Sequence, residues 1–252
     1  MSKINRLKES SNPFFSERAM QRAQGESHEA AVSAEETMSV SGAINKSFIL
    51  FAILLSTTVL SYQIANPILT IGGAIGGLIV VFLAVFKPSR AVWAAPLYAA
   101  VEGLFVGGIT YMFASMYSGI VFKAVMLTFG VLFTMLFIYK TEIIKVTDKF
   151  RRGVVMATGA VLLVYVVNLV LGFFGMSLPF LHEGGWLSIV VSLVIIGIAS
   201  LNLLLDFDFI EKGEEQGLPE YMEWFGAMGL LITLVWLYVE ILRLLAMLAG
   251  NE

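Results

Sequence analysis

Glu102, Asp206, Glu223 and Glu240 are carboxylates set within or at the edges of long apolar runs, with Asn202 one turn before Asp206 and Arg243 three residues after Glu240. An ionised side chain at mid-membrane costs roughly 2.5–3.5 kcal/mol on insertion scales, so each needs a partner or a function. The chemistry open to such a set is the binding and passage of protons or cations. Hydrolytic and redox chemistry lack their residues. There is no cysteine, and the two histidines, His28 and His182, sit far apart at no metal-ligand spacing. No serine and histidine share one apolar run, and GGAIGG lies inside such a run rather than after a strand. The expectation is a protein that is not an enzyme and carries no cofactor or bound metal.

Two readings stand for the first carboxylate. Glu102 lies about ten residues into the third apolar run, with Tyr98 and Thr110 as polar-capable neighbours and Pro96 expected to kink the helix. It is either a protonated acid bonded to a neighbouring helix or a titratable group on an ion path. In the sixth run, Ser188, Ser192, Ala199, Asn202 and Asp206 fall within a stripe roughly 80° wide, interrupted by Ile195. The stripe is either packing glue or a water-accessible lining that ends at Asp206. Asp208 points about 200° away from Asp206 at the helical pitch and is expected to pair with cations such as Lys212. In the seventh run, Gly226, Gly229, Thr233, Trp236 and Glu240 share one side. Arg243 can pair with Glu240 as a structural ion pair, while Glu223 favours the positive end of its helix.

Seven apolar stretches must position these groups: 45–65, 69–86, 91–115, 119–139, 153–175, 186–207 and 222–248. Their length argues for spanning helices, because lipid leaves no other partner for the backbone. They do not alternate as barrel strands would. The chain of 252 residues is 58% hydrophobic and 14% charged, against about a quarter charged in soluble domains. A net charge of −3 gives no footing for nucleic acid. The partner throughout is the lipid bilayer.

Fourteen of the sixteen lysines and arginines fall up to Lys46, at the start of the first run, or in alternate connections, leaving only Lys123 and Arg243 for the other side. The positive-inside rule then places the N-terminus in the cytoplasm and, after seven crossings, the C-terminus outside. Residues 1–42 form a polar tail too poor in apolar groups to fold on their own, and residues 43–250 the membrane domain. The tail is too polar for a secretory signal, so the first run is expected to act as the insertion signal. Gly72, Gly73, Gly76 and Gly77, and Gly103 with Gly107, carry GxxxG spacings that let helices approach closely within a monomer.

Four segments, PLYAAVEGLFVGGI (96–109), IIKVTDKFRRGVVMATGA (143–160), LNLLLDFDFIEKG (201–213) and YMEWFGAMGLLITLVWLYVEILRLL (221–245), together resemble the Bax inhibitor-1 family, in its bacterial Bax inhibitor 1-like branch. The resemblance covers everything after about residue 42. It implies an all-α integral membrane protein of seven transmembrane helices, the last enclosed by the other six, in a bacterial inner membrane. It also implies a pH-sensitive calcium leak gated by two aspartates, one ending the sixth helix and one within the seventh. Two such carboxylates share a proton, so pH switches their contact. Asp206 resembles the first and Glu102 the family's third-helix glutamate. The stretch from Ala227 to Thr233 has no carboxylate, which leaves Glu223 as the candidate substitute for the second. A passive leak of calcium or protons is one expectation. The alternative is a non-enzymatic protein that modulates a membrane complex, such as the membrane-bound ATP-dependent protease associated with some bacterial relatives, with the NPFF-containing tail as its handle.

Overall fold

A computed structural model describes residues 37–176, 178 and 185–250. The chain divides at Met38, where the helical unit begins. The proposed tail falls almost entirely outside the described residues.

All seven expected spans are helices: α1 (Val40–Ile64), α2 (Pro67–Phe86), α3 (Ala91–Met116), α4 (Ile120–Lys140), α5 (Asp148–Phe173), α6 (Trp186–Glu215) and α7 (Tyr221–Ala249). Each is long and apolar enough to cross a membrane. Their outward faces carry large apolar side chains, with Phe86 and Phe173 each 81% exposed, which only a hydrocarbon solvent tolerates. Local chemistry sets the starts. Ser39 accepts from the Gly42 N–H at the head of α1, Asn66 from Ile68 N–H before Pro67 of α2, and Thr147 from Phe150 N–H before α5. Helix α3 runs on through Pro96.

The largest boundary difference is at the end of α6, which continues eight residues past 207. Those turns are polar yet held. Asp208 pairs with Arg151 and Lys212, Glu211 with Lys140, and Glu214 accepts from Val40 N–H at the start of α1. Apolarity alone cannot predict a helix that ion pairs extend beyond the hydrocarbon.

Glycine decides how the helices meet. A Cβ on Gly73 of α2 would stand 2.6 Å from the Phe105 nitrogen, and one on Gly103 of α3 2.6 Å from the Leu54 carbonyl of α1. Backbone therefore touches backbone from α2 to α3 and from α3 to α1, so these glycines serve packing within the chain. Ser61 of α1 donates to the Leu104 carbonyl at 2.7 Å. Helix α7 is the most enclosed, with half of its most apolar window buried against 11% for α5. It lies against α1, α3, α4 and α6, while α2 backs α3 and α5 backs α6. An apolar cleft of about 350 Å³ between α1 and α4 has Leu230, Leu231 and Leu234 of α7 at its floor.

Candidate functional site

The polar stripe of α6 faces inward. Ser188, Ser192, Ile195 and Ala199 are all buried, and Asp206 continues the line toward the basic end of the bundle. Opposite Asp206 stands Gly229 of α7, where a Cβ would lie 3.7 Å from Asp206 Oδ1. The Thr233 hydroxyl stands beside the carboxylate but donates to the Gly229 carbonyl at 3.3 Å. Asp206 Oδ2 is buried and has no hydrogen-bond partner among the described residues. A buried carboxylate oxygen without a donor is costly, and native proteins leave few of them.

Asn202, one turn earlier, is turned toward α5. Its amide donates to Thr158 Oγ1 and to the Ile198 carbonyl, both at 2.8 Å. Asp208 lies on the far side of α6, as its angle demands, held by Lys212 and by Arg151 of α5.

Glu223 does not stand in for the second carboxylate opposite Asp206. It precedes Gly229 by six residues, about 9 Å along the helix. Its Oε1 accepts from the Ser39 backbone N–H at 2.8 Å and from the Ser39 hydroxyl at 3.0 Å, and its Oε2 from Lys46. Lys46 also reaches Glu220 at 2.8 Å and lies over the Trp224 ring. A Cβ on Gly42 would overlap the Glu223 carboxylate. Glu223 is thus the anchor for the head of α1, and its negative charge is committed to a lysine.

Glu102 is elsewhere again. Its carboxylate lies against Gly77, in the contact between α2 and α3. It makes no hydrogen bond to a described residue, and Tyr98, one turn earlier on α3, lies near it. The structure does not bring Glu102 and Asp206 together, because they sit in different helix interfaces.

Glu240 and Arg243 form the expected pair at 2.6 Å, with Glu240 only 3% exposed. A third member was not expected: Tyr165 of α5 donates to Glu240, and Arg243 lies over the Tyr165 ring. The signal for it was present. Arg151, Thr158 and Tyr165 recur every seven residues on one face of α5, and each bonds a polar group of α6 or α7. Among the described residues, no three His, Cys, Asp or Glu side chains cluster as a metal ion would require.

The arrangement can attract a cation or hold a proton at Asp206, while Asp208, Glu223 and Glu240 are confined in fixed ion pairs. A family model described as Bax inhibitor 1 like matches residues 12–250. No curated protein matches the chain.

Proposed function

The chain belongs to the Bax inhibitor 1-like family, and on that premise we propose that it is a passive leak for calcium and protons in a bacterial inner membrane. The observation that carries this reading is Asp206, whose carboxylate sits inside the bundle with one oxygen free of any partner among the described residues. In a low-dielectric interior an unpartnered carboxylate is either protonated or waiting for a cation. Gly229, which stands opposite, offers no second carboxylate to share the proton.

The charge of Asp206 is what draws the cation, so acid that protonates it removes the attraction. Calcium flux into liposomes holding the full-length protein therefore rises with pH along a one-proton curve. Asp206→Asn flattens that curve. Vesicles with wild-type protein as tight as empty ones, or an Asp206→Asn profile identical to wild type, overturn the reading. Glu102→Gln is expected to change the rate less, since Glu102 lies in the α2–α3 contact rather than against α7. The excess of Lys and Arg around alternate helix ends favours an N-terminus in the cytoplasm and a C-terminus outside.

A further inference from the structure

Five buried side-chain polar atoms have no hydrogen-bond partner among the described residues: Thr58 Oγ1, Ser192 Oγ, Asp206 Oδ2, Trp236 Nε1 and Arg243 Nε. Four of the five lie on the facing sides of α6 and α7. Ser192 and Asp206 are within 40° of each other on α6 and about 21 Å apart along it. Trp236 and Arg243 are within 20° on α7, about 10 and 21 Å beyond Gly229. Since α6 and α7 run antiparallel with Asp206 opposite Gly229, Ser192 and Arg243 come to the same depth. The unpartnered atoms thus mark both ends and the middle of one seam, about two thirds of the 30 Å hydrocarbon thickness.

The seam is polar between those marks as well. Asn202 with Thr158, then Thr233, then Tyr165 with Glu240 place a polar group every turn or two. Its outer wall is α5, which buries only Val154 and Val161 and touches the seam through Thr158 and Tyr165. Trp236 Nε1 stands close to Glu240 and Tyr165, but the other three unpartnered atoms each cost about 1–3 kcal/mol, more than simple helix adhesion would concentrate in one interface. Water held by two to four polar partners relieves that cost at each of these atoms, whereas a proton or a cation would relieve it at Asp206 alone.

We propose that the seam between α5, α6 and α7 carries a file of water from Asp206 to Ser192, closed at the far end by the Tyr165–Glu240–Arg243 cluster. Its role as the conducting route rests on the leak reading above; its hydration does not. Tyr165 acts as a positioning residue, holding Glu240 against Arg243 and α5 against the seam.

The natural lack of cysteine makes the test direct. Single variants Ser192→Cys and Ala199→Cys probe the buried stripe, and Leu193→Cys, whose native side chain is 52% exposed to lipid, is the control. Full-length protein in sealed liposomes is exposed to silver ion, and the remaining thiols are counted by maleimide after denaturation. A small cation follows water and is excluded from hydrocarbon, so the two stripe cysteines are expected to react more than about tenfold faster than Leu193→Cys. Stripe cysteines no faster than Leu193→Cys overturn the proposal, and Ala199→Cys serves alone if Ser192→Cys does not fold. Tyr165→Phe is expected to speed the Ala199→Cys reaction, and no change removes the far-end closure. Reactive stripe cysteines in a protein that passes no calcium uphold the hydrated seam and sink the leak. Asp206-dependent flux with unreactive stripe cysteines does the reverse.

Discussion

At Asp206 the deciding neighbour is a residue with no side chain. Gly229 leaves the carboxylate facing backbone, and the ordinary 3.7 Å contact available to a Cβ there means that a side chain can be accommodated. Gly229→Asp is therefore expected to fold and to set two carboxylates within reach of one proton. Coupled acids titrate in two macroscopic steps. The pH profile of calcium flux should broaden from one step to two in this variant, and an unchanged one-proton curve would show that Asp206 does not face position 229. Glu223 teaches the complementary lesson. It has the residue type for a pH sensor, but Lys46 and Ser39 already hold it. Its variants should report on the stability of α1.

Ion pairs and glycines act at the scale of the element. The Glu223 side chain is 4% exposed and Lys46 16%, so removing the lysine strands a buried carboxylate. Lys46→Ala should lose about 3–5 kcal/mol, the usual cost of breaking a buried pair from one side. The Lys145–Glu142 pair, each side chain 71% exposed, is the control, and Lys145→Ala should leave thermal unfolding in detergent unchanged. Equal melting of the two variants would show that α1 is not held by this anchor. The glycine contacts make a second contrast. Gly103→Leu must push α1 away from α3 and is expected to lower stability by more than about 3 kcal/mol, beyond ordinary overpacking, because backbone cannot yield. Gly72→Ala meets nothing within 4 Å and should be neutral.

Across the whole molecule, the start of the helical unit matters for any dissection of the tail. Met38 is 2% exposed, with its N–H bonded to the Leu218 carbonyl at 2.6 Å, and Ser39 both caps α1 and binds Glu223. A truncation meant to separate leak from partner capture must therefore stop at residue 36. Protein lacking residues 2–36 should retain calcium flux in liposomes. Loss of flux with an unchanged melting temperature would move the tail into the conducting mechanism.

Seven spans, the charge asymmetry of their connections, the inward stripe of α6 and the Glu240–Arg243 pair were all legible in the sequence. Each depends on periodicity or composition along one helix, and a bilayer enforces those locally by penalising every unsatisfied backbone group and every misplaced charge. The tertiary structure decided what faces what. Asp206 meets a glycine, Glu223 meets Lys46, Glu102 meets α2, and Tyr165 reaches Glu240 across 75 residues. These outcomes depend on the register and rotation of separate helices, which close glycine contacts and long-range ion pairs set together and which no single helix encodes.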